Sequence, residues 1–325
     1  MLFITNRFPR QGIKTEIGRK FDFDLEMNGA SNSIFFCESH GDYNTEIGGI
    51  AFMNNLKESK YRQVLFYIHG FANLPDEILM AAREFQDLCN KKKQNEILVI
   101  PIIWPCDNDF GIVKDYWDDQ QAADQSKFSF VRLLEKFREW RSSDSHNPDS
   151  DPCMKRINIL AHSMGNRVLR ETMSHWSHEF LPKGVPMLFR NIFMVAADVV
   201  NETLEEKKPY GNPICDAARN VVVYFASDDL ALRASKAANL KNKVASRRLG
   251  HTGPENLDLT PKNVYSVDCD DINQTYDPPI GHSYFRSGRV KGEPGLVFEH
   301  IFSVLESGRV YPDDEYRRSS ILKEK

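Results

Sequence analysis

Six short apolar runs recur from residue 64 onward, and their spacing limits the chain to few architectures. They are Val64–Ile68 (VLFYI), Ile97–Ile103 (ILVIPII), Arg156–Ala161 (RINILA), Asn191–Ala196 (NIFMVA), Asn220–Ala226 (NVVVYFA) and Asn263–Val267 (NVYSV). Most lack the polar–apolar alternation of a half-solvated strand, so they predict strands covered on both faces. Helical stripes lie between several of them. Ile78, Ala82, Phe85 and Cys89 recur at helical spacing behind Pro75, which suits a first turn. Phe130, Leu133, Leu134, Phe137 and Trp140 form a second stripe, and Val168, Leu169, Thr172, Trp176 and Phe180 a third. Buried strands alternating with amphipathic helices predict an α/β fold, a mostly parallel sheet with helices on both faces. In such sheets ligands bind beyond the carboxyl ends of the strands.

The first sixty residues read as a β-rich part of the same domain. Met1–Thr5, Phe21–Met27 and Ser33–Cys37 are β-like pieces separated by Gly, Asn and Ser turn signals. Two strands from this part bring the expected sheet to eight. The 325 residues suit one α/β domain over 1–325, and Ser142–Pro152 (SSDSHNPDSDP) reads as a surface loop, not a domain linker.

Charge and composition exclude several classes. A net charge of −4 and a pI near 6.2 oppose a nucleic-acid partner, which would favour a basic face. No apolar run approaches the ~20 residues of a membrane span, and the first residues lack the apolar core of a secretory signal. Cys37, Cys89, Cys106, Cys153, Cys215 and Cys269 show no C-x-x-C spacing. They are expected to be buried thiols, and the compartment cytoplasmic.

The strongest local signal is Leu160-Ala161-His162-Ser163-Met164-Gly165-Asn166. A strand runs into Ser163 and a helical pattern follows, the context of a nucleophile elbow, where a sharp turn exposes a serine hydroxyl. Small residues are needed two positions to either side because strand and helix approach closely. Gly165 meets this need, and Ala161 replaces the first glycine of G-x-S-x-G. The competing reading is a serine that merely caps a helix. Context favours the elbow. His69-Gly70 follows the first buried strand, and Phe71-Ala72-Asn73 leads into a helix, where such enzymes place part of an oxyanion hole. Phe71 and Met164 are the expected backbone N–H donors, with His69 and Gly70 supporting the loop.

A serine hydroxyl needs a base, and the base an orienting carboxylate. The strand NVVVYFA is followed by Ser227-Asp228-Asp229-Leu230, and NVYSV by a loop ending Gly281-His282-Ser283-Tyr284-Phe285. Ser163, the acid and His282 therefore follow the fifth, seventh and eighth expected strands in the order Ser, Asp, His. Asp228 and Asp229 stay open at this point, and Asp198, just after the sixth strand, is a further alternative acid. His251 precedes the last strand and is a poorer base, and His162 should be held under neighbouring loops. His175 and His178 sit three apart with no third ligand nearby, and the Asp268, Asp270, Asp271 run lacks Ca²⁺-loop spacing. No metal or organic cofactor is expected.

Over most of its length the chain resembles a bacterial α/β-hydrolase family of uncharacterised function, number 900, often labelled esterase- or lipase-like. The matching residues are Thr5-Asn6-Arg7, Ile68-His69-Gly70-Phe71, Trp104-Pro105, Tyr116-x-x-Asp119 and Ser126, then Ala161 through Asn166. They continue with Tyr224, Asp229-Leu230-Ala231-Leu232, Arg248-Leu249-Gly250 and Gly281 through Phe285. In the family pattern the acid is followed by one residue and then Ala-Leu, which favours Asp229. Cys106 departs from it, since a serine is commoner after Trp-Pro.

The resemblance implies a serine hydrolase fold and triad, and the residues point to hydrolysis of a small ester or other acyl substrate. An acyltransferase using the same serine, or a non-catalytic binding protein on a hydrolase fold, are the alternatives. Residues 105–125 and 230–260 are candidate pocket walls. The first carries Phe110, Ile112, Val113, Tyr116 and Trp117, whose other reading is core packing. The second is basic, with Arg233, Lys236, Lys241, Lys243, Arg247 and Arg248, and reads as a solvated helix or an anionic-substrate contact. Oligomeric state stays open.

Overall fold

A computed structural model of the chain describes residues 1–107, 112–146, 153–208, 210–240, 247–310 and 317–324. Among these residues ten strands form one sheet: β1 (Leu2–Thr5), β2 (Phe35–Ser39), β3 (Asn44–Glu46), β4 (Gln63–Ile68) and β5 (Ile97–Ile103) come first. They are followed by β6 (Arg156–His162), β7 (Phe189–Val195), β8 (Ala218–Phe225), β9 (Val264–Asp268) and β10 (Ser319–Ile321). The order across the sheet is β10-β9-β8-β7-β6-β4-β5-β1-β2-β3. Only β2 runs against its neighbours.

The sheet exceeds the eight strands expected by β3 and β10. Each is three residues long and lies at an outer edge, too short for a period-2 pattern and of the kind that closes a sheet edge. Phe21–Met27 is the opposite case. Phe21 and Phe23 pack their rings on Phe3 and Phe35, but the backbone makes only isolated bonds, Phe21 N–H to Asn44 O at the start of β3 and Asp24 N–H to Phe8 O. Aromatic burial, not ladder pairing, produced its strand-like pattern.

Both faces of the sheet are covered. Val64, Phe66 and Ile68 point into one core with the helices Gly48–Glu58, Ile112–His146 and Gly165–Phe180. Leu65 and Tyr67 point into the other, with Pro75–Lys92 and Leu296–Ser307. The three expected helical stripes lie on three of these helices, although Phe180 is half exposed at a helix end. The long helix runs through residue 146, so part of the expected loop 142–152 is helical; residues 147–152 lie outside the described residues.

A buried row of amides crosses four central strands. Asn191 Nδ2 donates to Asn158 Oδ1 at 2.8 Å, and Asn220 Nδ2 to Asn191 Oδ1 at 2.8 Å. Asn158 Nδ2 reaches Gln63 Oε1 at 3.3 Å, and Gln63 Nε2 donates to Glu96 Oε1 and Leu305 O, each at 2.9 Å. Asn158, Asn191 and Asn220 are level in the strand pairing. A one-residue slip would break the row and leave amides unpaired in the core, so it specifies register.

Candidate active site

β6 runs directly into Ser163, whose φ of +53° is rare outside glycine. A residue held there costs on the order of 1–3 kcal/mol and needs surrounding bonds to hold it. Ser163 N–H donates to Val195 O at 3.0 Å, and Ser163 O accepts from the N–H groups of Asn166 (3.1 Å) and Asp198 (3.2 Å). Asn166 Nδ2 adds a bond to Ala161 O at 2.9 Å. A Cβ on Gly165 would lie 2.5 Å from the carbonyl oxygens of both Ile68 and His69, and one on Gly70 would lie 2.9 Å from Ser163 Cβ. Bare glycines at these positions let β4, the turn and the following helix close together. The Ala161 methyl is absorbed into the buried core.

Two loops at the same sheet edge bring His282 and Asp229 beside this turn. His282 Nδ1 lies 2.6 Å from Asp229 Oδ2, and Asp229 Oδ1 accepts the Leu232 N–H at 2.9 Å. Asp229 is fully buried. Burial pulls the His282 pKa down, but the charge and hydrogen bond of Asp229, with the charges of Asp198 and Asp277, outweigh it and leave the pKa raised. Nε2 of His282 is buried with no hydrogen-bond partner among the described residues. With Ser163, Gly70, Phe71, Ser283 and Arg286 it lines a cavity of about 180 Å³.

The other two acids face elsewhere. Asp228 Oδ1 accepts from Asn273 Nδ2 at 2.6 Å, and the same amide donates to Gly281 O at 3.1 Å, so Asp228 braces the histidine loop from behind. Asp198 accepts from Ser235 Oγ at 2.7 Å and Tyr116 OH at 2.8 Å, and it lies 3.1 Å from Arg248 Nε. Arg248 is only 5% exposed. It is therefore neither on a solvated helix nor a free anion contact. Its burial follows from the ion pair with Asp198, since a buried charge needs a partner. Arg247 stays exposed, 3.8 Å from Glu255, and Arg233 donates to Ser227 O. Lys241, Lys243 and Phe110 lie outside the described residues, as do the side chains of Lys236, Ile112 and Val113.

The loop after β4 is fixed from two sides. His69 is buried, its ring stacked on Trp104 at 5.2 Å between centroids. Nε2 accepts the Trp104 N–H at 3.2 Å, so Nδ1 carries the proton, donated to Gly70 O at 2.7 Å. Burial, aided by Arg7 and against the bonds to Gly70 and Trp104, lowers the His69 pKa to about 3 and keeps the ring neutral. Ala72, at φ +54°, donates its N–H to Asp119 Oδ2 at 3.0 Å, and Asp107 N–H donates to Asp119 Oδ1 at 3.1 Å. The N–H groups of Phe71 and Met164 make no hydrogen bond among the described residues.

Asp119 was legible only as part of the family pattern, and its position was not. Tyr116 and Asp119 lie three apart, on one face of the long helix. Tyr116 packs edge-on to Phe71 at 5.7 Å and bonds Asp198, and Asp119 holds the turn at Ala72. Burial, with Asp107 and Asp115 nearby, raises the Asp119 pKa to about 8 against the two N–H bonds that lower it. Buried Arg7 completes the support, donating to Cys106 O at 2.7 Å, Asp24 O at 3.2 Å and Asn28 Oδ1 at 2.7 Å. Asp277 is a second residue that sequence reasoning passed over. Its carboxylate accepts the N–H groups of His282 (2.8 Å) and Ser283 (2.7 Å). Cys106 does not itself line the cavity; its thiol donates to Asn73 O at 3.2 Å, behind a residue that does.

The remaining histidines and acids are occupied otherwise. His162 sits between the rings of His282 and Phe285, with Nε2 3.1 Å from His282 O. His175 packs against Phe128, and His178 Nδ1 contacts Ser174 O. Asp270 accepts from Ser227 Oγ at 2.7 Å. Among the described residues, no group of three or more His, Cys, Asp or Glu side chains is arranged to hold a metal ion, and no helix is long and apolar enough to cross a membrane.

Residues 49–291 match the model of the family described as alpha/beta hydrolase of unknown function (DUF900). No curated protein matches the chain. With the matched span running from the helix before β4 through β9 and the loop carrying His282, the chain belongs to this α/β-hydrolase family.

Proposed function

We propose that the chain is a serine hydrolase acting on carboxylic esters through Ser163, His282 and Asp229. The observation that carries this reading is the convergence, at the carboxyl ends of β6, β8 and β9, of a strained serine, a histidine with an unpartnered Nε2 and a buried carboxylate on its Nδ1. Ser163 Oγ attacks the acyl carbon while His282 Nε2 takes its proton. The same proton then goes to the leaving alcohol. Asp229 holds the Nδ1–H tautomer and stabilises the imidazolium, in keeping with the raised pKa of His282. The free N–H groups of Phe71 and Met164 receive the charge that develops on the carbonyl oxygen. One such donor is typically worth ~10²–10³ in turnover and proton transfer ~10²–10⁴. Water then deacylates Ser163 with His282 as base.

A cavity of about 180 Å³ favours a small acyl or alcohol group. All six cysteines are free, which supports a reducing, cytoplasmic location. An acyltransferase would use the same residues with an alcohol in place of water, and product analysis with added alcohols separates the two. The direct test is labelling by a fluorophosphonate probe followed by peptide mass spectrometry. Folded wild type should label at Ser163, and folded Ser163→Ala and His282→Ala should not. Folded wild type that stays unlabelled would favour a binding protein on a hydrolase fold.

A further inference from the structure

At the sheet edge opposite Ser163, where β6, β7 and β8 begin, a groove of about 390 Å³ is lined by Arg141, Lys155, Arg156, Arg190 and Arg219. No acidic side chain lines it among the described residues, although acids outnumber bases in the chain as a whole. The strand register gathers these charges. Phe189 pairs with Ala218 and Asn191 with Asn220, which sets Arg190 level with Arg219 on the neighbouring strand. Like charges directly opposite weaken a strand pair. Burial lowers the pKa of Arg190, and the charges of Arg156 and Arg219 lower it further against a smaller opposing effect of Glu96.

Two of the five cations are anchored. Arg190 Nη2 donates to Ser307 O at 3.1 Å, and Lys155 Nζ to Ser59 O at 2.6 Å and to Tyr61 O. The side chains of Arg141, Arg156 and Arg219 make no ion pair or hydrogen bond among the described residues. Guanidinium groups gathered around one concavity suit the oxygens of a phosphate, because each can present two parallel N–H donors. Met154 and Met187, 81% and 68% exposed, flank the groove with apolar surface.

We infer that this groove binds a phosphate-bearing ligand, its phosphate held by Arg156, Arg190 and Arg219 and its apolar part lying along Met154 and Met187. The same chemistry is offered by a lipid headgroup and by a soluble phosphate ester. The site lies across the sheet from Ser163, and the inference does not depend on the hydrolase reading.

The full chain would be titrated at physiological ionic strength with inorganic pyrophosphate, and separately with phosphatidylcholine vesicles with and without phosphatidic acid. Arg156→Gln/Arg219→Gln should weaken binding about tenfold or more, the loss expected when charge-assisted hydrogen bonds are removed. Arg10→Gln/Lys14→Gln, with exposed bases elsewhere, should bind as wild type does. Both variants should unfold at or above the wild-type temperature, since Arg219→Gln relieves the repulsion with Arg190, and keep whatever Ser163 labelling wild type shows. Binding of pyrophosphate supports the site with a soluble source, and binding of the anionic vesicles alone supports it with a lipid source. Binding of neither probe, or equal weakening in both variants, would overturn it.

Discussion

His282 Nδ1 meets the carboxylate of Asp229 at 2.6 Å, while Asp228, one residue earlier, points away and bonds Asn273. Adjacent aspartates on one turn thus face opposite sides of the histidine loop. Asp229 acts on the imidazole directly, and Asp228 acts only through the loop's shape.

On the proposed mechanism, Asp229→Asn should cost on the order of 10⁴ in turnover, the loss seen in Ser-His-Asp triads when the wrong tautomer results. Asp228→Asn should cost far less, because Asn273 keeps its bond to Gly281 O. Turnover numbers on folded variants decide this. Collapse at Asp228 or Asp198 with a nearly normal Asp229→Asn would show that another carboxylate orients the base.

The pH profile follows from His282. As the proposed base His282 works only when neutral, and its pKa is raised in the folded protein. The acid limb of kcat/KM should then have its midpoint above the ordinary histidine value of about 6.5. Removing the Asp229 charge takes away what favours the imidazolium, so in Asp229→Asn the residual activity should show that limb moved to lower pH. An unmoved limb would mean that the titrating group is not His282.

Asp119 accepts two backbone N–H groups, and an asparagine offers only one oxygen for them. Asp119→Asn should loosen the Ala72 turn and misplace the Phe71 N–H. Turnover is expected to fall by up to ~10²–10³, the worth of one oxyanion donor, with KM little changed. A loss confined to KM would place Asp119 in substrate binding instead.

Asn191 sits in the middle of the buried amide row, bonded to Asn158 on one side and to Asn220 on the other. Asn191→Ala would strand both neighbours, at about 1–3 kcal/mol for each unsatisfied group. Urea unfolding should show a lowered midpoint with Ser163 labelling intact in the folded fraction. A midpoint equal to wild type would mean that water or rearrangement satisfies the row.

The strands and helices that build the site were legible because their cause is local. Both-face burial writes itself as continuous apolar runs at β4, β5, β6, β7 and β8, and the turn at Ser163 needs small neighbours that the chain supplies at Ala161 and Gly165. The three-residue edge strands β3 and β10 carry too few residues for any period. The Phe21–Met27 piece shows the converse, a pattern created by ring packing without a ladder.

The chain order Ser163, Asp229, His282 could be read along the sequence, since parallel strands bring their following loops to one edge whatever lies between them. Local sequence alone could not choose between Asp228 and Asp229, because both sit on the same turn and only the direction of each side chain differs. Nor could it show Asp119 and Asp277 as holders of the loops, Arg248 as the buried partner of Asp198, or Arg190 level with Arg219. Each of these joins residues far apart in the chain, and their contacts exist only once the strands are in register and the loops have closed over the sheet edge. Periodicity records what a segment buries, whereas partners across loops are decided by the tertiary structure.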